Sequence, residues 1–227
     1  GSALKDAALA PTGNVNIVNA TTVGSTTAYG TSVSQIRTNG AQTVSVKGAD
    51  VDAIIDIQST LATGGSNAGK AVGVSALKNV VMEGLAFNDG FVLRSDALES
   101  LSVLNTQGGA NTITITNNTA AHPLSITQGG NSAALWVNGA PINNAVSVVD
   151  AKATSVTVTD NGTASTAVLA VQAVKATDLT VNNTAAATVN LNLDAELKNI
   201  TLKGTGAVTL QNVGTLGKIA SIDALRA

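Results

Sequence analysis

The chain has 227 residues, of which 44% are hydrophobic, 2% aromatic and 11% charged, and its net charge is -2. Charge this sparse, against about 25% in ordinary soluble domains, leaves no basic footprint for nucleic acid, and the core must be built from Val, Leu, Ile and Ala. No run of eighteen apolar residues is present to span a membrane as a helix, and a chain with no Cys and one His holds neither disulfides nor a structural zinc.

Gly1-Ser2 reads as a cloning scar, which places any signal or anchor outside this chain. Residues 3–10 are expected to form a short helix that ends before Pro11. Residues 12–40 are rich in Thr, Ser and Gly, with one strand at Val15-Asn16-Ile17. Alternation resumes at Thr43-Val44-Ser45-Val46, and residues 53–57 form a denser apolar segment. Residues 63–69, Thr-Gly-Gly-Ser-Asn-Ala-Gly, are the clearest loop. That loop divides residues 1–63, a β-rich cap or the start of an array, from residues 70–227, a repeat array that reads as a fragment of a longer chain.

From residue 98 to residue 222, apolar-alternating segments recur about every eleven residues, and alternate segments echo at about twenty-two. One column runs through Leu101, Leu124, Val146, Val168, Val189 and Val208. A second runs through Ile113, Leu135, Val156, Leu179, Ile200 and Ile219. The frame apolar-x-x-apolar-x-apolar begins at Leu77, Leu98, Ala153, Ala176 and Leu197. A stretched copy begins at Leu216, and its extra residue before Ile222 suggests a bulge. The phrase Thr106-Gln107-Gly108-Gly109 returns as Thr127-Gln128-Gly129-Gly130.

Period-two alternation of β-branched residues makes the chain all-β. A parallel β-helix, or β-solenoid, with about 22 residues per turn requires the long echo. One or two β-sandwiches also fit strands at this spacing but have no reason to keep the echo. Four inward Val, Leu or Ile per turn contribute roughly 1.5–3 kcal/mol each, while ordering each backbone residue costs about 1–2 kcal/mol. A single turn is therefore unstable, and stability must come from stacking.

Few residues offer chemistry. Residues 100–149 contain no Asp, Glu, Lys or Arg, so their solubility rests on Thr, Asn, Ser and Gln. Asp50 and Asp52 share a strand face and are weak candidates for Ca²⁺, with Asp56 nearby; with no Gly at EF-hand spacing and no Glu to complete such a loop, a solvated face with a turn Asp is the preferred reading. Asp150 and Asp160 sit at segment ends, where turns favour them. His122, beside Pro123, reads as a turn residue with no acid evident in the charge-free stretch. Trp136 points outward if Leu135 and Val137 point inward, and an exposed Trp suits sugar stacking or a subunit contact. Asn105, Asn117, Asn118, Asn161, Asn182, Asn183 and Asn212 fall at segment ends, where stacked amides or left-handed turns place them. No catalytic constellation emerges.

At the glycine pairs, Gly108-Gly109-Ala110-Asn111-Thr112-Ile113 and Gly130-Asn131-Ser132 resemble decayed calcium-binding glycine-rich nonapeptides, without the further Gly and Asp that ligate Ca²⁺. The Thr/Ala/Asn/Val texture of residues 97–224, in phrases such as Ala176-Thr177-Asp178-Leu179-Thr180-Val181, resembles surface-layer proteins and large adhesins of Gram-negative type I secretion. That resemblance implies an extracellular β-solenoid that self-associates in a lattice on the bacterial cell surface, with Ca²⁺ as the family's cofactor. Against the structural reading stands an adhesin or carbohydrate-binding module that meets cell-surface polysaccharide through Trp136. A polysaccharide-cleaving β-helix stands third, since it needs grouped carboxylates and more aromatics.

Overall fold

A computed structural model describes residues 8–9, 15–18, 35–47, 51–83, 91–104, 111–117, 122–129, 132–137, 145–160, 167–184, 187–190, 196–211 and 218–225. The described residues form nineteen strands. In chain order they begin with β1 (Ala8–Leu9), β2 (Val15–Val18), β3 (Gln35–Thr38), β4 (Thr43–Lys47), β5 (Ala53–Asp56), β6 (Asn79–Glu83) and β7 (Phe91–Arg94). Next come β8 (Ser100–Leu104), β9 (Asn111–Thr116), β10 (His122–Gly129), β11 (Ser132–Val137), β12 (Ala145–Asp150) and β13 (Ala153–Asp160). The chain closes with β14 (Ala167–Gln172), β15 (Asp178–Asn183), β16 (Ala187–Asn190), β17 (Asn199–Lys203), β18 (Val208–Gln211) and β19 (Ser221–Leu225). The helix expected over residues 3–10 is contradicted at Ala8–Leu9, which pair with Arg37 and Thr38 as strand β1. Tertiary pairing to β3 overrides a weak local helix preference there.

The strands build two long open sheets and one short one. Nine strands lie in the order β19-β17-β15-β13-β10-β8-β6-β4-β2, eight in the order β1-β3-β5-β7-β9-β12-β14-β11, and β16 pairs with β18. The ladders between named strands are parallel, whereas sandwiches are built from antiparallel pairs. Up to β10 the chain alternates strictly between the two long sheets. Their inner faces enclose one continuous core that runs from Val15 to Leu202.

The repeated frame explains that core. Its three apolar positions are buried at five copies, Leu77, Val80 and Met82; Leu98, Leu101 and Val103; Ala153, Val156 and Val158; Ala176, Leu179 and Val181; Leu197, Ile200 and Leu202, whereas Ile222 on the last strand is exposed. An earlier copy, at Ala41, Val44 and Val46, is buried in the same way. The first position turns the corner into the nine-stranded sheet, and the other two face inward from the strand. Ladder steps are 21 residues from Val80 to Leu101, 22 from Leu93 to Ile115, 23 from Val156 to Leu179 and 21 from Leu179 to Ile200.

The first step is already long, 29 residues from Val15 to Val44, and two later insertions lengthen the step further. Residues 57–76 leave the corner after β5 as a loop carrying 3₁₀ turns at Ile57–Ser59 and Gly65–Asn67. β4 nevertheless pairs with β6, and β5 with β7, across it. The second insertion carries β11. This strand follows β10 in sequence but sits beyond β14, while β12 returns to pair with β9. One extra strand keeps the eleven-residue beat and reverses which sheet each beat belongs to. The two sequence columns therefore each cross between sheets: Leu124 lies on β10 of the nine-stranded sheet and Val146 on β12 of the eight-stranded one. Leu135 on β11 and Val156 on β13 exchange in the opposite sense.

The core also steps sideways at β10. Leu101 pairs with Ile126 rather than with Leu124, and Ile126 then pairs with Val158. The frame thus moves by one pleat, which brings Gln128 into the column of Val46, Met82 and Val103. The bulge expected before Ile222 is absent. Ile200 pairs with Ile222 in an unbroken five-residue ladder, so the frame restarts at Ile219 rather than Leu216. The register irregularities lie instead at His122/Pro123 and at Ser132/Ala134.

Candidate functional site

Three buried polar centres and one outer face carry the chemistry of the described residues. The first centre closes the corner after β5. Asp56 is fully buried. Its Oδ1 accepts Gln58 N at 3.0 Å; its Oδ2 accepts the Ser75 hydroxyl at 2.7 Å, Ala76 N at 2.8 Å and Leu77 N at 3.0 Å. Ser75 Oγ lies 2.8 Å from Ser59 Oγ and 3.1 Å from Ser95 Oγ, and Ser95 donates to Leu77 O at 2.5 Å. Ser59 also accepts Asp96 N at 2.8 Å. These bonds tie the backbone of residues 58, 76, 77 and 96 and three serine hydroxyls to one another, so the centre is a structural knot.

The second centre is His122 with Asp150. Expecting His122 to stand without an acid was wrong: the charge-free stretch ends at Val149, and the next residue is its partner. His122 Nε2 lies 2.9 Å from Asp150 Oδ2, with the carboxylate fully buried and the imidazole 14% exposed. At this distance the two atoms are within reach of a charge-assisted contact once the ring is protonated. Asp150 Oδ1 accepts Lys152 N at 2.9 Å and Ala153 N at 3.1 Å, the turn role its position implies. Contact with the Asp150 carboxylate raises the His122 pKa above the ordinary histidine value, against the opposing effect of burial. The carbonyls of Pro123 and Leu98 act in the same direction as Asp150.

The third centre is a column at the C-terminal ends of central strands of the nine-stranded sheet. Gln128, Asp160 and Asn183 pair in register on β10, β13 and β15, and all three are buried. Neither amide atom of Gln128 has a hydrogen-bond partner among the described residues. Asn183 donates to Ala207 O at 3.4 Å. Gly204 follows the column on the next connection, at φ +91°, and a Cβ there would sit 2.2 Å from Asn183 O.

The outer face of the nine-stranded sheet presents hydroxyls and amides in files. Register places Thr43, Asn79, Ser100, Ser125, Thr157, Thr180, Thr201 and Asp223 in one file across eight strands. Adjacent members are about 4.8 Å apart. Side-chain bonds run along the stacking direction: Ser100 donates to Asn79 Oδ1 at 2.7 Å, Asn199 to Asp178 Oδ1 at 2.7 Å and Ser221 to Asn199 Oδ1 at 3.1 Å. Bonds from Thr177 and Asn199 hold the Asp178 carboxyl below its ordinary pKa. Ion pairs follow the same direction, with Lys47–Glu83 at 2.8 Å, Lys78–Glu99 at 2.7 Å and Glu196–Lys218 at 2.8 Å. Among the described residues the amide rungs fall at Asn79 and Asn199, and at Asn183 inside; Asn105, Asn118, Asn161 and Asn212 lie outside the described residues. Parallel registration was the missing signal.

Of the remaining sequence candidates, Asp52 is half-buried just before β5, and Asp50 lies outside the described residues. The backbone of Trp136 pairs with Ala170 on β14, and its side chain lies outside the described residues. The glycine pairs at 108–109 and at 130 fall outside them as well; Gly129 ends β10. Among the described residues no group of three or more His, Cys, Asp or Glu is placed to hold a metal, and no helix is long and apolar enough to cross a membrane. No protein family, curated protein or solved structure matches the chain.

Proposed function

We propose that the chain is a β-solenoid module of an extracellular bacterial surface layer, which self-associates laterally through its polar outer face. Up to β10 each turn supplies one strand to each long sheet, and the uninterrupted turns take about 22 residues. The observation that carries the reading is the outer file from Thr43 to Asp223. There, seven successive strands repeat a short hydroxyl or amide side chain at one registered position, and the eighth ends the file on Asp223. Charge on this face is sparse and partly neutralised, as in the Lys47–Glu83 pair, with Asp223 the one charged member of the file, so copies can approach with little like-charge repulsion. Its hydroxyls offer many weak, equally spaced hydrogen bonds, which suit a lattice better than a single tight site. Type I secretion and Ca²⁺ dependence belong to the same proposal and rest on the resemblance of the glycine-pair phrases.

Electron microscopy of the full-length protein on cells tests the reading. An ordered array at the surface is the expected outcome. A dispersed protein, with no assembly on cells or after purification, overturns it.

A further inference from the structure

The His122–Asp150 pair sits at the base of the β11 excursion. His122 opens β10, Asp150 ends β12, and the chain between them leaves the stack, places β11 beyond β14 and returns. We infer that the pair is a pH-sensitive clasp, which closes the base of this excursion when His122 is charged and loosens it when His122 is neutral.

The geometry supports a switch. Asp150 is wholly buried, and its other oxygen is committed to Lys152 N and Ala153 N, so the carboxylate cannot turn to water for a substitute. His122 is fastened on its backbone side, where its N–H donates to Lys152 O at 3.4 Å and its carbonyl accepts the Thr154 hydroxyl at 3.3 Å. Its Nδ1 lies 3.0 Å from Pro123 O. The segment that carries Leu98 also bears Asp96 and Glu99, and the Glu99 carboxylate is engaged by Lys78. On the β12–β13 connection the charged groups are Asp150 and the exposed Lys152. Asp150 is thus the charge in direct contact with the ring. Protonation makes the contact an ion pair shielded from water, and deprotonation leaves a buried carboxylate beside a neutral ring.

The sign follows from the raised pKa. The clasp's contribution is fully present below the unfolded histidine value of about 6.5. It is lost as pH rises through the higher folded value. This inference does not depend on surface assembly.

His122 is the chain's single histidine, so its ring proton resonances can be titrated by NMR without assignment ambiguity. The expected midpoint lies above the ordinary value and falls back toward it in Asp150→Asn. Amide exchange of residues 132–137, taken as a ratio to that of β15 so that intrinsic pH dependence cancels, should rise several-fold across the same midpoint. His122→Arg, which keeps the charge, should hold the ratio constant and low; His122→Gln should hold it constant and high. A midpoint at or below the ordinary value overturns the clasp, as does an exchange ratio insensitive to pH in the wild type. Should Asp150→Asn fail to fold, the wild-type titration and the two His122 variants still decide the question.

Discussion

Asp56 Oδ2 accepts the backbone N–H of Leu77 at 3.0 Å, which ties the end of β5 to the corner that opens β6 across the whole inserted loop. The same carboxylate holds Gln58 N, Ala76 N and the Ser75 hydroxyl. Replacing it by Ala leaves three backbone donors without their acceptor. Asp56→Ala should lower stability by about 3–5 kcal/mol, the range for breaking a buried charged network. Urea denaturation followed by circular dichroism checks this; a midpoint within error of wild type would show that the corner does not depend on Asp56.

Gly204 combines a positive φ with a close approach to Asn183 O. Gly204→Ala should cost on the order of 2–3 kcal/mol, through left-handed strain together with a clash against backbone that cannot swing aside. Gly65 has φ +72° with nothing within 4 Å of an added Cβ, so Gly65→Ala should cost only about 1 kcal/mol. Thermal melts of both variants separate the two effects. Equal losses would mean that the contact with Asn183 contributes nothing.

Leu101 is fully buried between Val80 and Ile126 in the ladder, whereas Val74 is 91% exposed on the inserted loop. Leu101→Ala should lose about 2–5 kcal/mol through the cavity it leaves. Val74→Ser should change stability by less than about 0.5 kcal/mol. Denaturant midpoints measured side by side test the pair, and comparable losses would contradict the assignment of inside and outside.

Gln128 places an amide with no hydrogen-bond partner among the described residues in a buried column that holds Val103 on the preceding strand of the sheet. A buried polar group left unpaired costs about 1–3 kcal/mol. Gln128→Leu, similar in volume, should therefore stabilise the protein by about 1 kcal/mol. Destabilisation in the same urea assay would show that the amide has a partner in solution.

Alternation such as Val156-Thr157-Val158 marks both the strands and their inward faces, because a half-buried strand must repeat every second residue. The corner position of the frame is legible for the same reason, since Leu77, Leu98 and Leu197 have nowhere to go but inward. What periodicity cannot reveal is which strand neighbours which. β11 has the length and pattern of any other strand, so its place beyond β14 leaves the eleven-residue beat intact and changes only the sheet to which later beats belong. The one-pleat step from Leu101 to Ile126 is hidden likewise, because Leu124 and Ile126 are both apolar and both face inward. His122 and Asp150 are 28 positions apart in sequence, and only the pairing of β10 with β13 brings them together.

Stacking in the observed register is the claim on which the rest depends, and a chain without cysteine allows it to be read directly. Ser102 pairs with Thr127, while Ser125 pairs with Ser100. Paired Cα atoms on parallel strands lie about 4.8 Å apart, within disulfide reach, and a two-residue offset takes them beyond it. Under mild oxidation, the double variant Ser102→Cys/Thr127→Cys should form an intramolecular disulfide in the folded protein, and Ser102→Cys/Ser125→Cys should not. The reverse pattern, or no cross-link in either, would contradict the stacked register.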